Sequence, residues 1–392
     1  MVGIVLGNSI IYFFERENSW EDTMKIARFL TEEWMNDYEQ QAKYNLTDTS
    51  CESLTMQDLL QFDPKALENI TLDYGWITGL PELRKEVLSL YQNQDDNTLA
   101  FTHGGLQANE LAMNLVLNPK DHIITIHPGY QQFRDYPRFL GCEASEVSLD
   151  PTDWSLPLDQ VEKAIQSNTK MIIFANPSNP TGTWLDQSQL EQLIALCQAK
   201  NIWILVDEVY RNPLCMEQEV AISDLYDKGI STSSLSKVYG AAGLRFGWIK
   251  ANPQLIARVH SMRDHMLIST GPLVERMALV VLKNRKEIIE RVQEVVQDNK
   301  QTITEWLKQT PYYKLVMPQK GTVSFLQLPS GVDSTRFAID LLNETGIFFV
   351  PGSTFEMEGY VRLGLAKKHQ NLKETLTLLD GFTKKWMKEH LD

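Results

Sequence analysis

A mostly parallel β-sheet covered by helices on both faces, joined to a smaller α+β unit, is the architecture this sequence predicts. Three observations carry the prediction. From about residue 100 to residue 206, helix-like and strand-like stretches alternate. The strand-like stretches are continuous apolar runs rather than in/out alternations, as in sheets buried on both faces. After "FGWIKA" (246–251) the texture changes to long helical patterns with a few short strands.

The elements follow in order. Residues 17–41 place Trp20, Met24, Ala27, Leu30, Trp34 and Tyr38 at helical spacing, which predicts an amphipathic helix whose aromatic stripe packs against the rest. Pro81, in "GLPELRKEVLSLY", sits where the first turn of a helix tolerates it. Helices near 105–117, 131–140, 157–167 and 187–200 then alternate with strands at "HIITIH", 143–149, "MIIFA" and "IWILV". One long helical region covers 273–308. It is followed by "TVSFLQL", a helix near 334–345, "IFFV", "YVRLGLA" and a final helix. The expected division is a large domain at 46–272 and a small one built from 1–45 and 273–392.

Bulk composition narrows the function. At 392 residues, with 43% hydrophobic and 22% charged residues, the chain has ample material for a buried core and an ordinary globular surface. A net charge of -14 argues against nucleic acid as a partner, because phosphate binding needs a basic face. Cys51, Cys142, Cys197 and Cys215 form no C-x-x-C pair, which favours unpaired thiols over a zinc ribbon or a disulfide scaffold. No run approaches the ~20 apolar residues of a membrane helix. The apolar opening "MVGIVLGNSIIYFF" lacks a basic leader and a cleavage site. Cytoplasmic location, no membrane and no metal are the expectations.

Four stretches carry chemistry. "SSLSKVYGAAGLRFGW" (233–248) holds one lysine and one arginine among many small residues, a composition that invites an anion. "IWILVDEVYRN" (202–212) ends an apolar strand on Asp207, with Tyr210 three residues on. A carboxylate there caps the next helix, pairs with a structural arginine, or meets a ligand cation. "FANPSNPTG" (174–182) is a loop stiffened by two prolines that can hold Asn179 at a fixed angle. "THGGLQANEL" (102–111) puts Gly104 and Gly105 before a helix start, where free N–H groups and the helix dipole attract anions. Other motifs fail. There is no G-x-G-x-x-G, P-loop or H-E-x-x-H, and "SLSK" lacks the S-D-N and K-T-G that a serine β-lactamase reading needs.

Together these pieces describe one ligand. It has a phosphate for Gly104, Gly105, Ser234 and Arg245, a protonated ring nitrogen for Asp207, a ring oxygen for Asn179 and Tyr210, and an aldehyde for Lys237. That ligand is pyridoxal phosphate. N-P-x-N-P-T-G, then D-E-V-Y, then S-x-S-K with an arginine eight residues on, resembles the class I/II aminotransferases of the fold-type I pyridoxal-phosphate enzymes. The resemblance runs from about residue 45 to the end. It implies that Lys237 is the Schiff-base lysine and the general base and acid. It further implies that Asp207 partners the pyridinium, that Asn179 and Tyr210 meet the ring hydroxyl, and that Tyr130 in "PGYQQF" stacks on the ring. Arg362 in "YVRLGLA", with Asn179, would hold the substrate carboxylate, a task that suits a planar guanidinium. Tyr74 in "DYGWITGL" would reach a neighbouring subunit's cofactor phosphate, which implies a homodimer with shared sites.

"THGGLQANE" and "PGYQQF" also resemble the branch that contains capreomycidine synthase. At 47–53, "TDTSCES" stands where many relatives have a glycine-containing segment over the substrate. The expected activity is transfer of an amino group between an L-amino acid and a 2-oxo acid. The alternatives are a lyase or cyclase acting at Cβ, and a non-catalytic cofactor sensor. Arg16, Arg134 and Arg263 remain open as a second arginine for dicarboxylic substrates.

Overall fold

The structure, a computed structural model, describes residues 26–391 and the backbone of two strands before them, Val2–Leu6 (β1) and Ser9–Phe13 (β2), which pair antiparallel. Trp20 and Met24 of the expected opening helix, and Arg16, lie outside the described residues. The helix itself is Leu30–Tyr38 (α1), with a 3-10 turn at Glu39–Gln41. It starts at Leu30, past Ala27, because the backbone of Phe29 is extended (φ -87°, ψ 90°).

Next come Tyr44–Asn45 (β3), Met56–Phe62 (α2) and Pro81–Leu88 (α3). Thr55 and Asp58 cap α2 reciprocally, and Pro81 opens α3 as expected. The alternating region comprises Leu99–Thr102 (β4), Gly104–Val116 (α4), His122–His127 (β5), Gln132–Phe139 (α5), Glu143–Ser148 (β6) and Leu158–Ala164 (α6). It continues through Thr169–Ala175 (β7), Gln187–Ala199 (α7), Trp203–Asp207 (β8), Ile222–Leu225 (α8), Gly229–Ser234 (β9), Gly247–Lys250 (β10) and Pro253–Arg263 (α9). The seven strands form one sheet in the order β4-β10-β9-β8-β7-β5-β6. Only β10 runs against the others, antiparallel to both β4 and β9. Hence Thr102, His127, Ala175, Asp207 and Ser234 all end strands at one edge, where ligands collect in such sheets.

The expected helix over 273–308 is two helices, Pro272–Lys283 (α10) and Arg285–Leu307 (α11). Asn284 breaks them: its backbone leaves helical values (φ -105°, ψ 15°) and its side chain bonds back to the Val280 carbonyl at 2.8 Å. Lys314–Leu315 (β11), Val323–Gln327 (β12), Ser334–Thr345 (α12), Ile347–Phe348 (β13), Val350–Pro351 (β14), Tyr360–Gly364 (β15) and Leu372–His390 (α13) complete the chain. A four-stranded antiparallel sheet runs β11-β12-β15-β14. The single strand expected at "IFFV" is divided, with β13 pairing β3 and β14 pairing β15.

Three apolar cores flank the large sheet and its helices, and a fourth lies between the small sheet, α12 and α13. Helix α11 belongs to two of them. Ile288 and Ile289 enter the core beneath α3 and α10, and Ile303 and Trp306 enter the small-sheet core. Among the described residues no helix is long and apolar enough to cross a membrane.

Candidate active site

The site grows from the carboxyl edge of the large sheet. Asp207, the last residue of β8, is 8% exposed. Its Oδ2 accepts from Asn109 Nδ2 at 2.9 Å and its Oδ1 from the Val209 amide at 3.0 Å. It caps no helix, since the next one begins at Ile222, and among the described residues it pairs with no arginine, since Arg211 is taken by Glu208 at 3.2 Å. Burial raises its pKa, opposed by those two hydrogen bonds and by nearby Lys237. Asn109 was not singled out in the sequence. Its carbonyl accepts from Thr232, and its amide also reaches Gln132 at 3.1 Å. The available signal was an amide on the otherwise apolar buried face of α4.

Lys237 lies just past β9. Its Nζ donates to Thr49 Oγ1 at 2.7 Å, and its carbonyl accepts from the Cys51 amide at 3.1 Å. Burial first, then the Arg362 guanidinium, pushes its ammonium pKa down, which favours a neutral amine. The buried Tyr210 hydroxyl also bonds Thr49, and burial pushes its pKa up to about 12. Asn179 is buried, and among the described residues its Oδ1 has no partner. Its loop is held by bonds from Ser178 N to the Thr183 carbonyl and from Gly182 N to the Ser178 carbonyl. A Cβ on Gly182 would meet the Val323 carbonyl at 2.4 Å, so this loop docks against β12.

A cradle forms where α4, β9 and the turn before β10 meet. Gly104 opens the 13-residue α4 with a positive φ of 76°, and a Cβ there would come 2.6 Å from Arg245 Nη2. A Cβ on Gly105 would sit 3.7 Å from Ser234 Oγ. Arg245 itself is left-handed (φ 49°) and donates to the Ala242 carbonyl at 2.9 Å. A helix N-terminus, a hydroxyl and a guanidinium thus converge, a natural seat for a phosphate.

The opposite wall comes from distant chain. Arg362 in β15 is buried, and its Nε donates to the carbonyl and the hydroxyl of Thr47, each at 3.2 Å. The Leu46–Cys51 segment is clamped beside it. Gly364 N bonds the Leu46 carbonyl, Thr322 Oγ1 bonds the Thr49 carbonyl, and a Cβ on Gly364 would overlap the Asp48 carbonyl. The stretch "TDTSCES" therefore supplies Thr47 and Thr49 to the site, neither of which the sequence singled out. Tyr130 packs against Phe29 and Phe133, with centroids at 5.2 and 5.6 Å, and its hydroxyl lies 3.5 Å from Glu32.

Three residues stand apart. Tyr74 is 64% exposed, within a patch that includes Leu72, Trp76 and Ile77, so within one chain it does not join the others. Arg134 is held by Asp135 at 2.7 Å and Glu356 at 2.6 Å, and buried Arg263 donates to the carbonyls of Phe101, Ile77 and Ile268. Neither is available to a second substrate carboxylate.

Pyridoxal phosphate fits this arrangement. An anion seat, a buried carboxylate without a cation, an unpartnered amide oxygen and an amine favoured neutral are four complementary demands that one molecule answers.

Comparison with known proteins agrees. Residues 44–379 match the family aminotransferase class I and II. A PLP-dependent aminotransferase of Streptococcus suis, known from its crystal structure, is 34% identical. It superposes with a TM-score of 0.88 over 92% of this chain and 99% of its own. Capreomycidine synthase of Streptomyces vinaceus is 26% identical over 360 residues, 89% of this chain and 92% of that protein. A probable N-acetyl-LL-diaminopimelate aminotransferase of Bacillus subtilis is 28% identical over 336 residues, 82% of this chain and 84% of its own. The architecture is the fold-type I one expected from the sequence. This chain belongs to the class I and II aminotransferases, and it is an enzyme that uses pyridoxal phosphate to move an amino group between an amino acid and a 2-oxo acid.

Proposed function

We propose that the cluster around Lys237 is the site of this transfer and assign each residue a role in it. The phosphate is held by Gly104, Gly105, Ser234 and Arg245. Asp207 keeps the ring nitrogen protonated, and Asn109 keeps Asp207 aligned. Asn179 and Tyr210 meet the ring oxygen, and Tyr130 covers the ring face. When bound, pyridoxal phosphate supplies an aldehyde and an electron-withdrawing ring that together acidify the substrate's α-proton. Lys237 Nζ takes that proton and later returns it, acting as base and then as acid. Arg362 orients the α-carboxylate as a two-pronged donor, and Thr47 holds the guanidinium in place.

The observation that carries this reading is the Lys237 amine, favoured neutral by burial and the Arg362 charge, bonded to Thr49 at 2.7 Å. Borohydride treatment of the yellow holoenzyme should attach the cofactor to Lys237, read by peptide mass spectrometry. Label on any other lysine sinks the assignment.

Three further points belong to the same proposal. The enzyme is a homodimer in which Tyr74 reaches the neighbouring subunit's phosphate, a reading supported by its exposure among Leu72, Trp76 and Ile77. The division into 46–272 and 1–45 with 273–392 is supported by two separate sheets, although one core joins residues of both parts, such as Ile172 and Phe325. Cytoplasmic location is supported by four free cysteines. Similarity to capreomycidine synthase keeps chemistry at Cβ in view. Ammonia released from a β-substituted donor without any 2-oxo acid would convert the reading to a lyase.

A further inference from the structure

The substrate side chain has to leave the cluster around Lys237 somewhere, and the charges along its rim differ sharply in how they are balanced. Helix α1 lies beside the site and is pinned through its first turn and a half. The Leu30 amide donates to Gln131 at 2.9 Å, Trp34 Nε1 donates to the Phe349 carbonyl at 2.9 Å, and Thr31 lies 3.4 Å from Thr354. Met35 on this helix places its sulfur 4.0 Å from Arg362 Nη2. Glu32 is three residues earlier, hence on the same helix face. Its carboxylate lies 3.5 Å from the Tyr130 hydroxyl. Glu32 therefore stands between the proposed ring-covering tyrosine and the proposed carboxylate clamp.

Its charge is unbalanced. Adjacent Glu33 is paired with Arg28, and Asp48 across the cleft is paired with Lys367 at 3.4 Å. No lysine or arginine among the described residues comes within ion-pair distance of Glu32. Its field nevertheless reaches the site: burial lowers the Lys237 and Arg362 pKa values, and the Glu32 charge is among those that oppose this, while for Tyr130 it adds to the rise that burial causes. Of the three arginines left open for a distal carboxylate, Arg134 and Arg263 are committed elsewhere, and Arg16 lies outside the described residues.

We propose that Glu32 is the specificity-determining residue of this site and selects amino donors with a cationic side chain, such as lysine or ornithine. The proposal rests on the aminotransferase site assigned above. A cationic side chain leaving an α-carbon held by Arg362 meets an unpaired carboxylate. A dicarboxylic donor meets repulsion instead, and discrimination by a misplaced charge is as effective as by a new contact.

The test uses holoenzyme and a matched pair of donors, L-lysine and L-norleucine, which differ by the ammonium alone. Single-turnover conversion of the bound cofactor gives kcat/KM for each. The wild-type ratio should favour lysine, and Glu32→Gln should lower that ratio about tenfold, the scale of one well-placed charge pair. Glu32→Asp should restore part of it, and Glu32→Arg should turn the preference toward L-glutamate. A structural fault would slow both donors alike and leave the ratio unchanged. An unchanged ratio, or a wild-type enzyme that prefers glutamate, overturns the selectivity while leaving the aminotransferase site standing. Failure of every donor to convert the cofactor overturns both.

Discussion

The two walls of the site are made in opposite ways. On the sheet wall, Asp207, Asn179, Ser234 and Lys237 lie at or just beyond the ends of neighbouring strands, so hydrogen-bonded backbone ladders set their spacing. On the other wall, Thr47, Thr49, Glu32 and Arg362 come from a loop, a helix and a strand of the second sheet, joined by contacts between residues far apart in the chain. The first wall is local, and in the proposed assignment it faces the cofactor. The second is assembled by tertiary packing and in that assignment faces the substrate. Selectivity can drift there without disturbing the cofactor seat.

Breaking the first wall should cost most. Lys237→Ala should lower kcat by about four orders of magnitude while circular dichroism stays native, because base and covalent anchor vanish together. Asp207→Asn should cost about a hundredfold or more in kcat, since the ring nitrogen loses its charge partner in a buried setting. The same variant has a pH signature in the cofactor-free protein. Burial raises the Asp207 pKa, so the folded chain binds this proton more tightly than the unfolded chain, whose aspartates titrate near pH ~4. The group therefore favours the fold in acid and penalises it increasingly as pH rises past that value. Relative to Asp207→Asn, the thermal midpoint of cofactor-free wild type should fall as the pH rises above about 4.

Substitutions in the second wall should be milder and should act on KM. Arg362→Lys should raise KM for the donor about tenfold or more, because a point charge replaces a two-pronged donor. Smallest of all, Thr49→Val should lower kcat/KM about fivefold, the scale of one lost hydrogen bond, with the cofactor still bound. A Thr49 effect as large as that of Lys237 would abolish the distinction between the walls.

The same contrast explains what could be read from sequence. Strands β5, β7 and β8 were legible because both faces are covered and apolar residues run unbroken. Strand β9, "GISTSS", was not, although all six residues are buried, because small polar side chains carry no hydrophobic signal. The helix break at Asn284 was hidden by a continuous apolar periodicity, for an asparagine alone ends few helices. In the site, the sheet-wall residues sit in compact motifs. Asn109 lies 98 positions from Asp207, Thr49 lies 188 from Lys237, and Thr47 lies 315 from Arg362. No local pattern records such meetings. The Tyr74 expectation differs again, since a residue proposed to serve a second subunit shows only its exposure in one.

Helix α11 gives the molecule an axle. One unbroken rod of 23 residues is embedded at its start in the core under α10 and at its far end in the small-sheet core. Its backbone ladder resists bending. Any swing of the small sheet relative to the large one must then turn this rod as a single body about the joint at Asn284. That swing would carry Arg362 with the small sheet, while Thr49, bonded to Lys237 on one side and to Thr322 on the other, would be pulled between the two parts. A proline introduced near Asn284 would therefore act on the Arg362 wall from a distance, with no contact at the site itself altered.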